Sequence, residues 1–207
     1  MAGNSKKNSS KKNKKTPIRL VVGLGNPGQD YDKTRHNAGF MTIDELANEF
    51  GANYWKNEEG ALVAHVSHKN ITGEIEELML AKPQSYMNSS GGPVSKLLRA
   101  YKLTPANLLV IHDDMDLEPE SIRIKVGGGN AGHNGLKSIQ AKLDTKEYTR
   151  VRIGIGHPSG KKPVIDFVLQ RAKGKKFEGF EATCELAARA TIYIIENGAD
   201  AAMNMFN

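Results

Sequence analysis

Two rhythms of apolar residues alternate along this chain of 207 residues. Short apolar runs that stop at glycine or polar residues read as buried strands, and apolar positions three and four apart read as helices. Ile18 to Val22 is such a run, stopped by Gly23. Phe40, Ile43, Ala47 and Phe50 then recur at helical spacing, which predicts a helix over 37–50 closed by Gly51. Strands are expected near 61–66 and 76–81. Val94, Leu97, Leu98 and Tyr101 mark a second helix, with Pro93 suited to its first turn. Residues 108–112, 121–126 and 150–155 read as strands, and Leu136, Ile139 and Leu143 mark a third helix. A long last helix over about 175–196 carries Phe177, Phe180, Cys184, Ala188 and Ile195. The alternation predicts a single α/β domain with a central mixed, largely parallel twisted sheet and helices on both faces.

Composition changes this picture at one end only. Residues 1–16 hold six lysines and no acidic residue, and without them 23 basic residues face 23 acidic ones. The net charge of +6 therefore belongs to this segment. It reads as a disordered lysine-rich tail ahead of a domain over 17–207. A solvated tail, a non-specific RNA- or surface-binding arm and an import address all fit it. The lack of arginine and of an amphipathic period speaks against a mitochondrial transit peptide. Any polyanion site on the neutral body must be a local patch. The single cysteine, Cys184, excludes an internal disulfide framework and falls within a helical apolar face, which predicts a buried thiol. No apolar run approaches a membrane span, and no hydrophobic leader core is present.

Gly23-Leu24-Gly25-Asn26-Pro27-Gly28 matches the dinucleotide fingerprint G-x-G-x-x-G after a strand. That motif should open directly into a helix packed on the sheet, yet no helical period begins before Phe40. The Walker pattern fails as well, because Gln29 and Asp30 sit where Lys and Ser/Thr belong. His65 and His68 lack a nearby third ligand, and no H-E-x-x-H occurs, so no metal is expected. The glycine loop Gly127 to Gly135 joins a strand to a helix. It is either a flexible surface loop or a backbone that approaches a ligand closely, with Asn134 a plain helix cap on the first reading. Strand periodicity puts Arg123 and Lys125 on one face, and Arg150 and Arg152 on one face. Two basic strand faces beside a helix N-terminus are either solvated faces or a phosphate site.

His36 follows a polar loop and precedes a helix, whose positive end should keep the imidazole neutral, as a base requires. Asp113 and Asp114 follow a strand end, where open α/β sheets build their sites, and a carboxylate there could hold the far nitrogen of such a base. Asn26, Asn88 and Asn134 lie at element ends and offer uncharged donors and acceptors suited to a peptide backbone and an attacking water.

These segments, taken in order, resemble the bacterial-type peptidyl-tRNA hydrolases. The resemblance is carried by Val22 to Gly28, Tyr31 with Thr34 to Gly39, Lys82-Pro83 with Tyr86 to Gly91, His112 to Asp116, Gly127 to Lys137, and Arg152 to Pro158. It covers the chain from about Ile18 onward. It implies cleavage of the ester between a peptide and the 3′ ribose of tRNA, without metal or organic cofactor. It implies that His36 is the general base and that Asp113 orients it. Asn26, Asn88 and Asn134 would line the site, and Tyr31, Tyr86 and Met87 would shape the cleft. Lys125 and Arg152 would hold the tRNA 5′ phosphate, with Lys137 and Lys142 extending the basic patch. A cytoplasmic monomer with peptidyl-tRNA as partner is implied too. Tyr86 stands where the family commonly has Phe, and Asn130 where His is frequent; the lysine-rich tail is outside the family pattern. The competing reading is an RNA-binding relative on the same fold that has given up hydrolysis.

Overall fold

The computed structural model describes residues 16–69 and 73–207, and the order of elements follows the two rhythms. β1 (Leu20–Gly23) leads through a long loop and a 3-10 turn at Arg35–Asn37 into α1 (Ala38–Glu49). Next come β2 (Lys56–Glu58), β3 (Ala61–Lys69), β4 (Ile75–Pro83) and α2 (Gly91–Ala100). β5 (Leu108–Asp114), β6 (Ile122–Val126), α3 (Asn134–Leu143) and β7 (Thr149–Gly154) follow. The chain closes with α4 (Val164–Val168), α5 (Lys175–Asn197) and α6 (Ala199–Phe206).

Among the described residues, seven strands form one mixed sheet in the order β2-β3-β4-β1-β5-β7-β6. Its four central strands are parallel, while β2, β3 and β6 run antiparallel to their neighbours. Alternation along each strand feeds two cores. Val21, Leu109 and Ile111 pack under α1 and α5, whereas Leu20, Val22, Leu108 and Val110 pack under α2 and α3. Burying a Leu, Ile or Val side chain contributes about 1.5–3 kcal/mol, so these two faces supply the main drive to fold.

Three of these elements were not expected from periodicity. β2 is short, polar and at the sheet edge; α4 is a single turn and a half; and α6 is split from α5 at Gly198, whose φ of 84° breaks the helix. β5 also runs two residues past its predicted end, so Asp113 and Asp114 lie inside the sheet and are buried. The glycines of the apparent dinucleotide fingerprint serve packing. A Cβ on Gly23 would sit 2.2 Å from the Gly39 carbonyl oxygen, and one on Gly25 would sit 2.6 Å from the Phe40 ring. They let the start of α1 lie directly on β1, which is why the match misleads. Cys184 is buried as expected, and burial pushes its thiol up to about 12. The predicted tail, apart from Thr16, lies outside the described residues.

Candidate active site

The loops after β1, β4 and β5 and the start of α3 gather at the carboxyl ends of the parallel strands. His36 comes from the 3-10 turn before α1, Asp113 from β5 and His133 from the residue before α3. They meet although 77 and 20 residues separate His36 and His133 from Asp113. His36 Nδ1–H donates to Asp113 Oδ1 at 3.0 Å and to Oδ2 at 3.1 Å, and His133 Nε2–H donates to Oδ1 at 3.0 Å. One buried carboxylate thus holds two imidazoles.

The tautomers follow from the partners. With Nδ1 committed to Asp113, the Nε2 of neutral His36 carries no proton and can accept one. His133 is the N-cap of α3, and its Nδ1 accepts from the amides of Gly135 and Leu136 at 3.2 and 3.4 Å. That leaves its proton on Nε2, facing Asp113. The residue that caps α3 is therefore His133, and Asn134 is the helix's first residue, free of the plain cap role. His36, Asp113 and His133 could also offer a cation three ligand atoms within 4.8 Å of one another. Metal on His133 Nε2 would move its proton to Nδ1, against two amide donors, so the cap works against such a site.

Asp113 reverses one expectation. Burial lowers the His36 pKa, but the charge and hydrogen bond of Asp113 outweigh it and leave the value raised. The carboxylate, not the helix end, decides this titration. Burial alone would raise the Asp113 pKa, yet His36 and His133 hold it well below the usual carboxylate range, so it stays ionised. Behind them His112 donates from Nδ1 to the Asp113 carbonyl at 2.7 Å, and burial followed by the neighbouring His133 pushes its pKa down to about 3.

His36, Asp113, His133 and Asn134 line a cavity of about 250 Å³ whose opposite wall is apolar: Val164, Ile165 and Val168 of α4. Val164 and Ile165 are half exposed into it. Asn26 is not among the residues that line this cavity; it is tied to Asn37, the residue after His36. Its Oδ1 accepts from the Met87 amide at 2.7 Å, and its main chain is gripped by Asn37, which accepts from Asn26 N–H at 2.8 Å and donates to its carbonyl at 3.0 Å. Asn26 Nδ2 is left without a partner among the described residues. Met87 is buried beneath the loop, while Tyr86 is exposed and meets Tyr31 edge-on with ring centres 6.3 Å apart. Asn88 is exposed on the same loop, its Oδ1 3.5 Å from the Ser89 hydroxyl.

The family model for peptidyl-tRNA hydrolase matches residues 20–207. The chain belongs to the peptidyl-tRNA hydrolase family. The peptidyl-tRNA hydrolase of Mycobacterium tuberculosis strain H37Rv is 47% identical over 185 residues, covering 89% of this chain and 95% of that protein. That of Rhodococcus erythropolis is 42% identical over 189 residues, covering 91% and 97%. The crystal structure of the Acinetobacter baumannii peptidyl-tRNA hydrolase superposes with a TM-score of 0.82 at 36% identity, covering 92% of this chain and 94% of that one.

In this member of the peptidyl-tRNA hydrolase family the basic strand faces are unequal. Arg123 pairs with Arg152 and Lys125 with Arg150 across β6 and β7, so all four project from one face. Arg150 is only 2% exposed. It donates to the carbonyls of Gly128 and Gly129 at 2.7 Å each and lies over the Tyr148 ring, so it braces the glycine loop from inside. Arg152 Nε donates to Asp114 at 2.7 Å and remains partly exposed. Arg123 and Lys125 are exposed on edge strand β6, and Lys137 on α3 is exposed too. Sequence reasoning assigned no role to His133 or Asn37. The signal for His133 was its place directly before a helix in a glycine loop; nothing local marked Asn37.

Proposed function

We propose that this protein hydrolyses the ester joining a peptide, or an N-blocked amino acid, to the 3′ ribose of tRNA. The observation that carries the reading is a histidine pinned at Nδ1 by a buried carboxylate, with Nε2 unbonded among the described residues and beside a cavity that has one polar and one apolar wall. His36 Nε2 takes a proton from water as the water oxygen attacks the ester carbonyl. The imidazolium so formed is stabilised by Asp113, whose second proton donor, His133, keeps the carboxylate from rotating. Asn26 Nδ2 and Asn134 serve as donors to the oxygen that gains negative charge, a role worth about 10²–10³-fold for one well-placed donor. His36 then returns the proton to the departing ribose oxygen, giving the free peptide acid and tRNA. Water is the only co-reactant, so the sequence of steps calls on no metal or organic cofactor.

Tyr31, Tyr86, Met87 and Asn88 shape the cleft where the peptide joins the ribose. Lys125 and Arg152 receive the 5′ phosphate, with Lys137 and Lys142 along the acceptor arm. The protein works as a monomer in the cytoplasm on peptidyl-tRNA. The RNA-binding relative without activity is disfavoured by the intact His36–Asp113 contact. Incubation with N-acetyl-aminoacyl-tRNA, with release of the N-acetyl amino acid followed, tests the activity. His36→Ala should lower kcat by about 10²–10⁴-fold, the worth of a positioned base, with tRNA affinity kept. Turnover by His36→Ala at the wild-type rate would remove His36 from the mechanism.

A further inference from the structure

The apolar wall of the cleft is tied to the segment that carries His36. α4 is five residues long, and the element it packs against most is the 3-10 turn Arg35–Asn37. The link is the side chain next to the base. Arg35 Nη1 donates to the carbonyl of Phe167 at 3.3 Å and to that of Gln170 at 3.2 Å, at the carboxyl end of α4. Its guanidinium lies over the Phe167 ring, 4.5 Å from the centroid. Two further ties join the same segments: Thr34 pairs with Arg171 in an isolated backbone bridge, and Arg171 donates to the Gln29 carbonyl. A cation at the end of a short helix satisfies carbonyls that the helix cannot, and a planar guanidinium can stack while it does so. α4 is also a partition. Val164, Ile165 and Val168 face the catalytic cavity, while Phe167 faces a second cavity of about 540 Å³ that Arg35 also lines. Val168 is buried in the core under α1 and α5, so Arg35 acts on the rest of the helix, where Phe167 borders open space.

Building on the proposed hydrolase activity, we propose that Arg35 is a positioning residue that sets the apolar wall of the cleft, and through it the preference for the side chain of the amino acid esterified to tRNA. A large apolar side chain reaches Val164 and Ile165; glycine does not.

The test compares N-acetyl-leucyl-tRNA with N-acetyl-glycyl-tRNA for the wild-type protein, Arg35→Gln and Arg35→Lys. Arg35→Gln should raise KM for the leucyl substrate by about tenfold, the low end of what one apolar contact in a pocket confers, with a much smaller change for the glycyl substrate. Arg35→Lys keeps the charge and most of the stem but not the planar face, so it should fall between. Hydrogen exchange at the amides of residues 167–170 should speed up in Arg35→Gln, while that of β5 stays as it is. Equal KM changes on the two substrates, or unchanged exchange in α4, would overturn the assignment of Arg35. Wild-type protein that cleaves neither substrate would instead refute the hydrolase reading, so the two failures are told apart.

Discussion

Replacing Asp113 by asparagine changes almost no volume and removes one charge from the centre of the site. Asp113 Oδ1 accepts from both histidines and Oδ2 from His36 alone. An asparagine can keep its oxygen at the Oδ1 position and so retain both of those bonds. Its NH₂ then sits where Oδ2 was, 3.1 Å from His36 Nδ1. A donor now faces a donor unless His36 moves its proton to Nε2, and that tautomer cannot act as a base. A hydrogen bond to a charged group contributes about 1.5–3 kcal/mol, which at 1.36 kcal/mol per tenfold predicts a fall in kcat of roughly 10- to 150-fold. This is less than for His36→Ala, because some imidazole remains competent. The pH dependence has a definite sign. Asp113 is what raises the His36 pKa against burial, so without its charge the pKa falls below the ordinary value. Wild-type kcat/KM should rise with pH through the raised value, and the variant's acid limb should lie lower. The penalty is therefore largest at high pH and shrinks in acid. The assay is kcat/KM for N-acetyl-aminoacyl-tRNA from about pH 5 to 9, a range that brackets the ordinary histidine value, with both variants. An acid limb that stays in place or moves up, or a variant more crippled than His36→Ala, would overturn this account of Asp113.

Lys125→Ala should raise KM for substrates that carry a 5′ phosphate, leave kcat and stability alone, and make little difference once that phosphate is removed. Arg152→Ala should show the same selectivity and also lose about 3 kcal/mol or more in urea unfolding, because Asp114 is left as a buried carboxylate without its partner; equal stability of the two variants would count against that pairing. Gly91→Ala should destabilise by about 1–3 kcal/mol or more, since a Cβ there would lie 2.1 Å from the Ser138 carbonyl oxygen where α2 crosses α3. A Tm indistinguishable from wild type would show that the two helices can separate freely. Deleting residues 1–16 removes six positive charges. It should flatten the salt dependence of affinity for tRNA and for a random RNA alike, by roughly 0.7–0.9 in slope for each phosphate no longer neutralised, with kcat unchanged; unchanged slopes for both RNAs would leave the tail no part in binding.

The long elements and the two-sided sheet are legible in the sequence, because burial of alternate strand residues is a local property repeated along the chain. His36, Asp113 and Asn134, each marked by the end of an element or a loop beside one, line one cavity, whereas Asn26 and Asn88, marked in the same way, are not among its lining residues. Elements whose existence depends on a neighbour were not legible. α4 has too few residues to show a period, and β2 is defined by its pairing with β3. Which partners meet depends on how the elements pack. Asp113 bridges His36 and His133 because β5 lies between β1 and β7, an order that the chain does not follow. The same holds for charge. Arg123, Lys125, Arg150 and Arg152 have one periodicity, yet Arg150 is buried against glycine carbonyls, Arg152 is paired with Asp114 and Lys125 faces solvent. Even the titration of His36, which the start of a helix seemed to govern, is set by a carboxylate 77 residues away. A hydrophobic pattern records whether a residue is buried, which depends on its own side chain. Hydrogen bonds and charges act between specific atoms, and three-dimensional packing alone fixes those distances.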